Sequence, residues 1–151
     1  MSVEGTDPDA VIRLVDVSRR FGPTSVFSGV HLAVGDGDYV SIVGTSGSGK
    51  STLLNILGLL DRPSSGTYEL LGADTTRMSD RQRAVARAQH VGFVFQSFHL
   101  MPYRSVTENV VLAQRYAGIP RRHRLERASE ALDRVGLSHR AEAQPRTLSG
   151  G

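Results

Sequence analysis

The sequence has no cysteine and no tryptophan, and of its 18 basic residues 17 are arginine, leaving one lysine, Lys50. The missing thiols exclude a disulfide framework, a thiolate zinc site and a cysteine nucleophile. Long apolar runs are missing too: the longest stretch free of Asp, Glu, Lys and Arg, residues 88–103, contains Gln, His and Pro. None approaches the roughly 20 apolar residues that span a bilayer. The opening residues 1–10 are acidic and polar, unlike a signal or transit peptide, which points to a cytoplasmic chain. Excess charge is small: the net value is +3, and Asp and Glu are interspersed among the arginines. That pattern predicts a solvated surface, so no nucleic-acid partner is expected. What is present is a 39% hydrophobic chain of 151 residues. A chain of that size buries roughly 70% of its unfolded surface, enough for a core without staples.

Residues 11–17 (VIRLVDV) and 25–34 (SVFSGVHLAV) alternate between apolar and polar, as strands do. An Asp-Gly-Asp turn at 36–38 leads into an apolar run at 39–43, read as a buried strand. The period then changes, and residues 51–60 (STLLNILGLL) read as a buried helix closed by Asp61-Arg62-Pro63. A short strand is expected at 66–71, an amphipathic helix at 79–90 with Ser79 as N-cap, and a buried strand at 91–95. Ser105 and Glu108 form a capping box that opens a helix to about Ala117, and a last helix is expected over 122–135. This order predicts an α/β fold: a P-loop NTPase core with an N-terminal antiparallel β arm and a helical lobe. The expected divisions are a flexible 1–10, a β arm and P-loop core over 11–96, and a helical lobe over 97–151.

Residues 44–51 match G-x-x-x-x-G-K-[ST] in full, between an apolar run and an apolar helix. Each residue type has a task. Gly44, Gly47 and Gly49 let the backbone turn so that the N–H groups of Thr45, Ser46 and Ser48 can join an anion-binding nest at a helix N-terminus. Lys50 is a compact charge that reaches β and γ phosphates, where a planar guanidinium fits poorly. The Ser51 hydroxyl suits Mg²⁺, and Thr52 is placed to donate to the α phosphate. A Gly/Ser turn would match the same pattern by accident in about 0.5% of chains this long. The motif alone does not choose among nucleotide kinases, GTPases, helicases and transport ATPases.

Three further features, together with the P-loop, resemble the ATP-binding subunit of ABC transporters. Leu148-Ser149-Gly150-Gly151 looks like the LSGG signature of that family, Gln96 looks like its Q-loop glutamine, and Phe21 looks like the aromatic residue that stacks on adenine. The resemblance extends from about residue 11 to 151, and the stretches NILGLLDRPSSG and GFVFQSFHLMPYRSVTENV are most similar to the lipoprotein-release and macrolide-export subgroup. It implies ATP and Mg²⁺ as cofactors, with Lys50 and Gln96 catalytic and Ser51 and Gln96 at the metal. Ser149, Gly150 and Gly151 would reach the ATP held by a second subunit in a head-to-tail dimer. A transmembrane permease subunit is the other implied partner, docked near 98–109 on the inner face of the membrane.

Hydrolysis also needs a second acidic ligand and a group that orients water. The family supplies them from an apolar strand ending in Asp-Glu and from a later histidine, and neither follows the signature in this sequence. Residues 57–61 (LGLLD) mimic that strand but belong to the helix after the P-loop and are followed by Arg62. His31, His90, His99, His123 and His139 have no metal-ligand spacing. The expectation is an incomplete ATP-binding domain with negligible turnover alone. A nonhydrolysing nucleotide- or partner-binding module is the alternative, and a small P-loop kinase a third.

Overall fold

The computed structural model describes residues 10–95 and 99–147. Two compact units divide the chain between Val91 and Gly92.

The first unit is built on a four-stranded antiparallel sheet of order β2-β1-β3-β4. Strand β1 spans Ile12–Phe21, β2 Thr24–Val34, β3 Ser65–Leu70 and β4 Ala73–Asp74. The first hairpin is longer than the sequence pattern indicated, because bulges near Val17, Arg19 and Arg20 break the alternation without ending the ladder. Helix α1, Lys50–Leu57, packs on the sheet through Leu53 and Ile56, and Leu59 beyond it completes a cluster with Leu14, Val17, Leu32, Tyr68 and Leu70. Each such buried side chain contributes about 1.5–3 kcal/mol. The expected all-round burial of this helix is not seen: Leu54 is 54% exposed, since residues at i and i+3 share the packed side and Leu54 does not.

Two expected buried strands are corrected. Residues 39–43 and 91–95 form no ladder among the described residues, with Tyr39 93% and Val43 81% exposed. An apolar run becomes a buried strand only where a neighbour takes its N–H and C=O groups, and among the described residues none of the four strands pairs with either run.

Helix α2, Asp80–His90, follows a 3-10 turn at Thr75–Arg77. Its capping box is complete: the Ser79 hydroxyl accepts from the Gln82 N–H, and the Gln82 side chain accepts from the Ser79 N–H at 2.8 Å. Arginines tie α2 to the end of α1. Buried Arg83 donates to the Asp61 carbonyl, and Arg87 donates to the Leu59 carbonyl at 2.9 Å. Arg62 donates to the Met78 carbonyl and to Asp80, both at 2.8 Å. That hydrogen bond and the Arg62 charge hold the Asp80 carboxyl below the usual carboxylate range.

The second unit contains α3, Val106–Tyr116, and α4, Arg121–Arg134, with Val106, Ala128 and Leu132 buried. The Ser105–Glu108 capping box forms as expected. Val106 and Thr107 N–H groups donate to the carbonyls of Ala143 and Ala141 at 2.9 and 3.0 Å, which fastens the end of the described chain to the start of α3.

Candidate functional site

The residues of the 44–51 motif lie on an exposed turn that runs directly into α1. Within it the Ser48 N–H donates to the Thr45 carbonyl at 3.3 Å. Gly49 is the N-cap of α1 at φ 86°, a left-handed value that a side chain disfavours, and no side chain caps the helix. Space forbids a side chain there too: a Cβ on Gly49 would stand 2.8 Å from Val26 Cγ1 and 3.1 Å from Phe27 Cδ1. The loop can therefore lie against β2 only because position 49 is glycine.

Lys50 turns back over the loop. Its Nζ donates to the carbonyls of Gly44 at 2.9 Å and Thr45 at 2.6 Å, and to Ser48 Oγ at 3.4 Å. An ammonium has three donors, so these partners account for its hydrogen-bonding capacity. The charge thus sits inside the curve of the loop, at the positive end of α1, where an anion gains from both. A phosphate oxygen can replace any of these neutral acceptors with a charged one, and charge-assisted bonds are roughly twice as strong. Ser46 and Ser51 are exposed beside the ammonium in sequence, and Thr52 is half-buried in the first turn. The donor set fits a polyphosphate.

Phe21 ends β1 and is 53% exposed. The Arg19 guanidinium carbon stands 4.3 Å from its ring centroid, and Arg19 Nη2 pairs with Asp61 Oδ2 at 2.9 Å. Sequence reasoning missed Arg19 and Asp61. The available signal was an arginine two positions before the aromatic residue on the same strand.

Gln96 and residues 148–151, with Ser149, Gly150 and Gly151, lie outside the described residues. No group of three or more His, Asp or Glu side chains is arranged to hold a metal among the described residues, so Ser51 is the candidate ligand that the structure describes. Nor is any helix among the described residues long and apolar enough to cross a membrane.

Residues 27–151 match the family described as ABC transporter. The chain belongs to the ABC transporter family. Among curated relatives of this ABC chain, a pyoverdine export ATP-binding/permease protein, PvdT of Pseudomonas aeruginosa, is 46% identical over 97% of the chain and 23% of the relative. A macrolide export ATP-binding/permease protein, MacB of Burkholderia cenocepacia, is 47% identical over 93% of the chain and 21% of the relative. A lipoprotein-releasing system ATP-binding protein, LolD 1 of Rhodopirellula baltica, is 50% identical over 85% of the chain and 56% of the relative. The chain thus spans about a fifth of the export proteins and just over half of the lipoprotein-release protein. Among solved structures, the dimeric bacterial ABC transporter cassette MJ0796 is similar at TM-score 0.78 and 35% identity, over 92% of this chain and 63% of that one. A second structure of that cassette, equally similar, is a dimer in a post-hydrolysis state bound to ADP and Pi. These neighbours bear out the α/β cassette fold and the export and lipoprotein-release resemblance.

Proposed function

We propose that the chain binds ATP with Mg²⁺ on the 44–52 segment and belongs to a transporter in which ATP hydrolysis drives export through a permease. The carrying observation is the Lys50 ammonium held within the loop by Gly44, Thr45 and Ser48. Lys50 neutralises the β and γ phosphates, and loop N–H groups from Thr45 to Gly49 take their oxygens. Thr52 donates to the α phosphate. Mg²⁺, where bound, supplies charge neutralisation, and the Ser51 hydroxyl is its protein ligand in this segment. Phe21 stacks on adenine. Gln96 orients the attacking water near the metal, and Ser149, Gly150 and Gly151 contact ATP held by a second subunit. That pairing has support in the dimeric cassette structures of the neighbour. The permease partner and the place on the inner face of the membrane rest on the ATP-binding/permease names of the relatives.

The 151 residues contain no apolar strand ending in Asp-Glu, so alone they bind ATP with negligible turnover. Binding of a fluorescent ATP analogue tests the reading. Lys50→Ala is expected to weaken it at least tenfold while the thermal midpoint moves little, because the lysine lies outside the buried core and its hydrogen bonds go only to exposed loop residues. Undiminished affinity in Lys50→Ala would refute the phosphate assignment, and Lys50-dependent turnover by the 151-residue chain would refute the inactivity.

A further inference from the structure

Arg19 is a residue that the motifs leave unexplained. Its Nε is the one side-chain nitrogen or oxygen found buried without a hydrogen-bond partner among the described residues. Burying an unpaired guanidinium nitrogen is unfavourable, and the ion pair with Asp61 engages Nη2 and leaves the cost at Nε in place. What the placement produces is a ring with one face covered: the guanidinium lies 4.3 Å from the centroid of Phe21, and the residue is still half exposed.

We propose that Arg19 is a positioning residue for the nucleotide base, holding the Phe21 ring, through its ion pair with Asp61, in the orientation in which adenine stacks on the face away from the guanidinium. This rests on the reading of Phe21 as the adenine platform given above. Two effects follow from a cation over an aromatic face. It restrains the ring from turning, and it draws π density toward itself, which lowers repulsion between the far face and the π cloud of a purine.

The location of Asp61 adds a second argument. It lies shortly beyond the C-terminus of α1, the helix whose first residue is Lys50. At the other end of that helix Gly49 lies against Val26 and Phe27, and Phe27 stands opposite Arg19 in the β1–β2 ladder. The segment carrying the phosphate lysine therefore meets the hairpin carrying Phe21 at two places. Base platform and phosphate loop are kept at one spacing, which matters for a ligand that has both a base and phosphates and is irrelevant to phosphates alone.

The test compares affinities for ATP and for inorganic tripolyphosphate in the intact protein and in Phe21→Ala, Arg19→Met and Arg19→Lys. Phe21→Ala is expected to weaken ATP about tenfold and leave tripolyphosphate unchanged. Arg19→Met should weaken ATP about threefold, leave tripolyphosphate unchanged, and add nothing in the Phe21→Ala background. Arg19→Lys, which keeps a cation, should recover most of the ATP affinity. If Phe21→Ala weakens ATP and Arg19→Met does not, the positioning role is wrong while the platform stands. If Phe21→Ala has no effect, the platform itself is wrong and the positioning role goes with it. Equal loss for ATP and tripolyphosphate in Arg19→Met would show that Arg19 serves the hairpin fold and would also overturn the proposal.

Discussion

The Tyr68 hydroxyl donates to the Leu57 carbonyl at 2.7 Å, joining the buried centre of the sheet to the last residue of α1. The Thr75 hydroxyl in turn donates to the Tyr68 carbonyl at 2.9 Å. With Gly49 against β2 at its other end, α1 is fixed at both termini. Lys50 therefore starts from a rigid base, and little ordering of the helix is left for a bound phosphate to drive.

Tyr68→Phe should lower stability by about 1–3 kcal/mol, since the ring still fills its place but the Leu57 carbonyl loses a partner. The same hydroxyl makes stability pH-dependent. Burial pushes its pKa up to about 12, against the ordinary value of 10.0, with the Arg83 charge acting weakly in the opposite sense. The unfolded chain then loses this proton before the folded one does. Its contribution is whole below pH 10 and is lost as pH rises towards about 12. Urea unfolding of the two proteins between pH 8 and 11.5 should show a steeper alkaline decline in the parent than in Tyr68→Phe; parallel declines would contradict the assignment.

Gly49→Ala should be worse than an ordinary glycine replacement. The new methyl meets Val26 at 2.8 Å while the backbone is held at φ 86°, so strain and collision add. A loss of about 2–4 kcal/mol is expected, with a fall in ATP affinity because the loop must leave β2 to relieve the clash. Denaturant midpoints and nucleotide titration measure the two effects separately. A variant of parental stability would mean that β2 yields at Val26.

The sequence reading succeeded where the signal is local. Ser79 with Gln82 and Ser105 with Glu108 declare helix starts within a single turn, and the glycine-lysine motif declares the loop before α1. It failed where the outcome depends on a distant neighbour. Residues 39–43 have strand composition, yet composition supplies no partner for their backbone groups. The alternation understates the hairpin for the opposite reason: pairing with both β2 and β3 carries β1 through its bulges. Arg19 was hidden because its significance lies in Asp61, far away in sequence and near in space.

In the second unit, Asn109 organises the loop ahead of α3. Its Oδ1 accepts from the Met101 N–H at 2.8 Å, and its Nδ2 donates to the Ser105 carbonyl at 2.9 Å. Asn109→Ala should therefore loosen residues 101–105 while leaving the capping box, whereas Ser105→Ala removes the cap at about 1 kcal/mol. Amide hydrogen exchange distinguishes them: faster exchange at Met101 in the first variant, at Glu108 in the second.

Arg83 and Arg87 offer a graded comparison at the far end of α1. Both donate to backbone carbonyls just past the helix, Arg83 to Asp61 and Arg87 to Leu59, but Arg83 is buried and Arg87 half-buried. Burial depresses the Arg83 pKa, and the neighbouring Arg62 charge adds to that, so the folded state holds this cation at a cost. Replacing it with Met removes that cost together with the hydrogen bond, while leaving the half-buried Asp61 carbonyl without a charged donor. A charged hydrogen bond is worth about 1.5–3 kcal/mol, and the relief of desolvation offsets part of it, so a net loss near 1–2 kcal/mol is expected for Arg83→Met. Arg87→Met should cost less, because the half-buried Arg87 guanidinium is still partly hydrated and its bond to the Leu59 carbonyl is worth less than that of the buried Arg83. Asp61 also carries the carboxylate that holds Arg19, so Arg83→Met should weaken ATP binding as well, and Arg87→Met should not. Equal stabilities and equal ATP affinities in the two variants would show that the carbonyl of Asp61 does not depend on Arg83 for its position.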